Sequence, residues 1–261
     1  AMFYSMGRMF YHWSLVPYAM YSLSGLLIAY MYFNRGKEMT TSNTLVPLFG
    51  DRMTKGFWRG LIDTLCVVAV ALGLAASLGA GLSLIGTGLE YNYGIVQSPA
   101  MWVILVLVIT LLFTLTSVSG LSKGIKWLAD QTAKLFYVLL AFVIVVGPVV
   151  YCLNLMNVGL GTWLDNFWTW GLDPGMKDGE ALVTWWTMYA WSIWIAYAPM
   201  MGIFFALISY GRTIRQFLTV NFILPGVFGI IWIAFWGGTA MNWQTNGVVD
   251  IVGVISELGA T

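Results

Sequence analysis

Six stretches of about 20 or more mostly apolar residues, each closed by polar punctuation, constrain this chain more than any other feature. They are Ser14 to Phe33, Leu61 to Ile85, Ala100 to Ser119, Leu135 to Leu155, Thr184 to Ser209 and Phe217 to Ala240. A helix of about 20 apolar residues is long enough to cross the hydrocarbon core of a bilayer. The breaks fall at Asn34-Arg35-Gly36-Lys37, Glu90 to Gly94, Ser122-Lys123-Gly124, Asp173-Pro174-Gly175, Gly211-Arg212-Thr213 and Asn242 to Asn246. The segments are long and lack two-residue alternation, so they read as helices and not as barrel strands. Composition excludes the alternatives: 59% of residues are hydrophobic and 9% charged, whereas a soluble domain carries roughly 25% charged residues and a disordered chain is poor in apolar ones. The expected class is an all-α membrane protein with about six transmembrane helices, forming one domain over residues 1–261.

Charge orients the bundle, because loops on the cytoplasmic side hold an excess of Lys and Arg. One set of alternating loops contains Arg35, Lys37, Arg52, Lys55, Arg59, Lys123, Lys126, Lys134, Arg212 and Arg215, ten of the twelve basic residues. The other set contains Glu90, Asp165, Asp173, Asp178, Glu180, Asp250 and Glu257, with Arg8 and Lys177 as its basic members. The first set is placed inside and both chain ends outside. Both ends look cut, which suggests an internal piece of a larger transporter or a short homologue of one.

Between the fourth and fifth spans, Leu160, Trp163, Leu164, Phe167 and Trp168 recur at three-and-four spacing. That pattern suits a helix near 158–170 lying in the membrane interface and bracing the bundle. In the second span, Gly73, Ser77 and Gly81 share one face and Ala71, Ala75 and Gly79 another, which favours close helix packing. Asp63 is an acid inside a span, but near a helix N-terminus and one turn from Arg59 its structural role is favoured. His12, beside Trp13 at the outer end of its span, reads as either a pore residue or an interfacial one, with the interface favoured. Cys66 and Cys152 fit no metal or redox spacing and read as small core residues.

The densest signal is the run from Trp185 to Met201. At about 100° per residue, Trp186, Trp194, Tyr197 and Met201 fall within roughly 80° of one another, with Trp191 on the flank. Belt tryptophans cluster at one end of a span, whereas these reach its middle. There Pro199 removes a backbone donor, and a helix interrupted near the midplane is a recurring place for a transporter's ligand. The first span repeats the theme with Trp13, Pro17, Tyr18 and Tyr21. Two aromatic walls with no acid opposite them suit a quaternary ammonium or sulfonium held by cation-π attraction. Ordinary packing and belt roles for these residues remain open on spacing alone.

At these residues the chain resembles the betaine/choline/carnitine transporter family. His12-Trp13 through Pro17-Tyr18-Ala19-Met20-Tyr21 to Ala29-Tyr30, with Asn34-Arg35-Gly36-Lys37 and Ser42 to Gly50, is similar to the family's fourth helix and following loop. Ala76-Ser77-Leu78-Gly79, Lys123 to Leu128, Ile208 to Arg215 and Gly237-Gly238-Thr239-Ala240 follow in the family's order. The resemblance implies a LeuT-like inverted five-plus-five repeat bundle of twelve helices, of which this chain would hold the fourth to the ninth, without the glycine-rich first helix of the repeat. It implies a plasma-membrane secondary transporter, symporter or antiporter, for glycine betaine, carnitine, choline or a similar compound, assembled as a homotrimer among membrane lipids. No nucleic-acid partner or cofactor is implied. Carried over by position, the substrate-binding residues are Trp13, Tyr18, Tyr21, Trp194 and Tyr197, with Trp186 as an outer aromatic.

Departures from the pattern carry information as well. Tyr197 is closer to the carnitine exchangers, yet Ile193 stands where those exchangers carry tryptophan. Val70 and Leu74 stand where sodium-coupled members have hydroxyl side chains, Met201 where sodium-independent exchangers have methionine, and Thr132 where those exchangers carry arginine. Exchange or at most weak sodium coupling is the expectation. A channel would need a charged ring or filter loop, an assembly subunit would need no aromatic site, and an enzyme would need Asp63 and His12, placed at opposite faces, to meet.

Overall fold

The computed structural model describes residues 2–120, 124, 126–177 and 179–257, and all of its regular structure there is helical. Ser122, Lys123 and Asp178, which the loop assignment uses, lie outside the described residues. The main helices are α1 (Met2–Trp13), α2 (Leu15–Ala29), α3 (Gly56–Tyr93), α4 (Pro99–Val118), α5 (Lys126–Val146), α6 (Val149–Leu172), α7 (Tyr189–Ile208) and α8 (Leu224–Thr245). Among the described residues, six segments are long and apolar enough to span a bilayer: Met2–Asn34, Gly56–Tyr93, Pro99–Val118, Lys126–Val146, Glu180–Ile208 and Ile214–Thr245. This is a multi-pass membrane protein. Its helices divide into two compact units, one of Ala1–Leu74 with Asn154–Ala234, the other of Ala75–Leu153 with Phe235–Thr261.

In the first unit the first span starts at Met2, twelve residues earlier than the hydropathy pattern places it, and is broken at Ser14. Ser14 leaves helical geometry at φ −112°, ψ −116°, while its N–H and its hydroxyl both donate to the Phe10 carbonyl. Pro17 explains the place of the break, since it has no N–H for the Trp13 carbonyl one turn back. Gly229 on α8 lies against that carbonyl, where a Cβ would approach to 2.9 Å.

Two expectations about the chain after the fourth span are corrected. The span ends at Val146 and not at Leu155, because Gly147 and Pro148 interrupt the helix. The helix expected near 158–170 is the C-terminal part of α6, a continuous helix of 24 residues. Its Trp163 and Trp170 are buried while Leu164 and Trp168 are exposed. Trp170 lies over Gly7, and Gly159 receives Met6 and Phe10, so α6 clasps α1 through glycines on both helices.

The strongest pairing is α2 against α7, and it closes on small residues. A Cβ on Gly202 would come within 2.4 Å of the Ser24 hydroxyl, and one on Gly25 within 2.9 Å of Phe217. Of the three α3 glycines expected to pack closely, Gly73 alone has a near neighbour: a Cβ there would meet Ala196 and the Tyr197 ring at 3.4 and 3.5 Å. Gly79 and Gly81 meet nothing within 4 Å. The Gly-Arg-Thr-Ile-Arg run is a helix restart. Gly211 turns the chain at φ +74°, a left-handed conformation natural to glycine. Thr213 then caps the next helix in a reciprocal box with Gln216, through bonds of 3.2 and 3.1 Å.

The second unit is simpler. Cys152 is buried against Gly238, with its sulfur 3.6 Å from the Thr239 hydroxyl and 3.8 Å from the Phe235 carbonyl, the packing role expected for it. Gly86 accepts the Trp102 ring. The lengths of α4 and α5 are otherwise largely exposed Leu, Val and Phe, as side chains that meet lipid would be.

Candidate functional site

Six of the eight aromatic and methionine candidates converge where α1, α2 and α7 meet. The break at Ser14 takes the His12 carbonyl out of the helical ladder, and the Trp194 indole N–H donates to it at 2.9 Å. That bond fixes one ring of the site to the backbone of the other span. Trp13 and Trp194 then stand edge to face, with centroids 5.0 Å apart and planes at 88°. Tyr21 meets Trp194 at 5.9 Å and 77°, and Tyr18 meets Tyr21 at 6.5 Å and 86°. Perpendicular pairs at these distances are the favourable arrangement for aromatic quadrupoles.

The group grades from core to surface. Tyr21 is 6% exposed and forms a buried cluster with Phe205 and Phe217, against which Tyr18, Trp194, Tyr197 and Met201 are packed. Trp13 is 46% exposed. Rings in direct contact leave no space for a cation between them, so the faces that could receive one are the outward faces of Trp13 and Trp194. A cation-π contact needs the charge within about 6 Å of a ring centroid.

Two candidates stand apart. Residues Val183–Met188 form a π-helical turn at the start of the fifth span, and the extra residue in that turn changes the helical phase. Trp186 is therefore carried away from Trp194 and lines a recess of about 220 Å³ with Tyr4, Arg8, His12 and Leu182. Trp191 faces an apolar groove of about 720 Å³ with Tyr11, Trp163 and Phe167. Pro199 was expected to interrupt its span, but α7 runs unbroken from Tyr189 to Ile208. The interruption is in the first span, at Ser14.

The start of the first span holds a polar cluster whose pattern is not visible in sequence. Arg8 is 6% exposed. Its Nη1 donates to the Thr187 hydroxyl at 3.1 Å, and its Nε and Nη2 donate to the Tyr4 hydroxyl at 3.2 and 2.8 Å. The guanidinium also lies over the Trp170 ring at 4.5 Å. His12 Nε2 is 3.2 Å from the same Thr187 hydroxyl. Since arginine only donates, the Thr187 oxygen accepts from Arg8 and its proton is available to His12. The common partner of Arg8 and His12, Thr187, is 175 or more positions away in sequence.

Asp63 takes the structural role. Its carboxylate accepts the Ser42 N–H and hydroxyl, both at 3.0 Å, with Arg59 Nε at 3.7 Å. The bonding partners of Asp63 and His12 are thus wholly different. No group of three or more His, Cys, Asp or Glu residues suited to a metal ion occurs among the described residues.

Comparison with known proteins identifies the family of the chain. The model of the betaine/carnitine/choline family of transporters matches residues 1–260, and the chain belongs to that family. It is 34% identical over 250 residues to the glycine betaine transporter OpuD of Bacillus subtilis (strain 168), covering 95% of this chain and 49% of that protein. It is 38% identical over 242 residues to a probable glycine betaine transporter of Desulfitobacterium hafniense (strain Y51), covering 93% and 48%. A glycine betaine/proline/choline transporter of Vibrio parahaemolyticus (serotype O3:K6, strain RIMD 2210633) is 34% identical over 241 residues, covering 92% and 43%. The chain spans about half the length of these curated relatives. The family and these relatives are transporters, not enzymes.

Proposed function

We propose that the intact protein is a secondary transporter in the plasma membrane that carries a quaternary-ammonium compound of the betaine and choline type. The ammonium group is received by Trp13 and Trp194, with Tyr18, Tyr21 and Tyr197 completing the aromatic wall and Met201 behind it. The observation that carries this reading is the Trp13–Trp194–Tyr21 group held by the indole bond to the His12 carbonyl, in a chain whose family and relatives transport such solutes. Loops rich in Lys and Arg face the cytoplasm. Assembly as a homotrimer, surrounded by lipid, follows the family resemblance.

Energy coupling is exchange or weak sodium symport. Val70 and Leu74 offer no side-chain oxygen, and sodium, like other hard cations, is held by oxygen donors. The test is reconstitution of the full-length protein in proteoliposomes. Trp194→Leu weakens glycine betaine or choline binding by about 1 to 2 kcal/mol, the scale of a desolvated cation-π contact, while Trp168→Leu leaves it unchanged. Equal losses at both positions would sink the aromatic site. Counterflow in choline-free potassium buffer persists, and uptake that requires two sodium ions would overturn the coupling.

A further inference from the structure

The connection between the first two spans, residues 35–59, departs from what a water-facing loop should look like. Leu48 is 78% exposed at the end of the Val46–Phe49 turn, beside exposed Phe49, and Phe57 is 73% exposed beside exposed Trp58 at the start of α3. Four large apolar side chains thus stand outward from one short connection.

Their exposure is built into the segment. Ser42 and Asn43 are buried, Ser42 is tied to Asp63 by two bonds, and Asn43 Nδ2 donates to the Glu38 carbonyl at 2.7 Å and to the Thr40 hydroxyl at 2.9 Å. Gly50 turns the chain at φ +72° between two helical turns. Lys37 pairs with Asp51 at 2.7 Å, and Arg59 pairs with Glu38. Ser42 and Asn43 therefore face inward and hold the connection to α3, while the large apolar side chains stay outside.

The charges point the same way. Arg35, Lys37, Arg52, Lys55 and Arg59 face only Glu38 and Asp51 in this segment. Both acids are already paired, and Arg52 and Lys55 are exposed beside the apolar residues. Aromatic and aliphatic side chains interleaved with basic ones are the composition of a surface that lies in a lipid interface, apolar groups at the acyl boundary and cations among anionic headgroups. The segment is tethered at both ends to spanning helices, so the membrane surface is within its reach.

We infer that residues 46–58 form an interfacial anchor for anionic lipid, with Leu48, Phe49, Phe57 and Trp58 immersed and Arg52 and Lys55 holding the headgroups. The anchor fixes the start of α3, through Asp63 and Ser42, at a set depth. It is independent of the aromatic substrate site.

The test uses the full-length protein with Cys66 and Cys152 replaced by alanine, and a nitroxide placed at Leu48→Cys or, separately, Phe57→Cys. It is reconstituted in vesicles of phosphatidylglycerol with phosphatidylcholine or of phosphatidylcholine alone. In anionic vesicles both labels collide with oxygen and are shielded from a water-soluble nickel complex. Removing a charge by Arg52→Gln or Lys55→Gln lowers the immersed-to-exposed ratio about fivefold each, the equivalent of about 1 kcal/mol per basic residue at such a surface. Free access of nickel in anionic vesicles would overturn the anchor, as would immersion indifferent to lipid charge. Shielding from both reagents would show that a protein surface covers the segment and would overturn it as well.

Discussion

The crossing of α2 with α7 and the exposed run of α4 are both apolar helical structure, yet they are built on opposite rules. At the crossing, glycines bring backbones together, and polar groups are satisfied across elements, as with the Trp194 indole on the His12 carbonyl. Along α4, leucine, valine and phenylalanine project outward with little covering them, and the threonines bond their own helix, Thr114 to the Thr110 carbonyl and Thr116 to those of Leu112 and Phe113. Lipid solvates the second kind of surface as well as protein would, so its sequence is loosely constrained. Function needs the first kind, where a ring or carbonyl is held by something distant in sequence.

The largest expected effect tests that contrast directly. Gly202→Ala puts a Cβ against Ser24 and should destabilise the full-length protein by about 1 to 3 kcal/mol, the scale of overpacking. Gly79→Ala meets open space and should be neutral or stabilising by up to about 1 kcal/mol from helix propensity. Thermal unfolding in detergent reads both, and similar melting points for the two variants would dissolve the comparison.

Helix caps sharpen it at a smaller scale. Thr213→Ala removes the hydroxyl half of a reciprocal box and should cost about 1 kcal/mol. Ser98→Ala, which loses a 3.3 Å bond to the Met101 N–H ahead of α4, should cost less, because Pro99 already presets the first turn. A greater loss at Ser98 would show that α4 depends on local caps more than the crossing does.

The smallest effect concerns pH. Lys37, through its hydrogen bond and then its charge, holds the Asp51 carboxyl below the usual carboxylate range. A lowered folded-state value means that the contact stabilises the loop above the ordinary aspartate pKa of about 3.9. That contribution is lost as pH falls through the lowered value. A spin label at Met53→Cys should gain mobility only in that acid range. Loosening near neutral pH would assign the restraint to another group.

What sequence alone determined was the solvent and the class: six long apolar segments, punctuated by charge, leave helices in lipid as the one solution, and the aromatic run with Gly-Arg-Thr-Ile-Arg marked the family. The set of Trp13, Tyr18, Tyr21, Trp194 and Tyr197 came from the family resemblance; spacing at about 100° per residue relates Trp194 to Tyr197 and Tyr18 to Tyr21, each pair on one unbroken helix, while Trp13 lies across the break at Ser14. Tertiary structure decided the rest. A π-helical turn at Val183–Met188 shifts the phase of Trp186, which no count from Trp194 could anticipate. Pro17 and Pro199 each remove one backbone donor, but the chain leaves helical geometry near the first and runs through the second. Around the first break, distant groups satisfy what the helix gives up: Trp194 bonds the His12 carbonyl and Gly229 admits the Trp13 carbonyl. Proline specifies only that a hydrogen bond is missing; the packed neighbours determine whether the helix yields there.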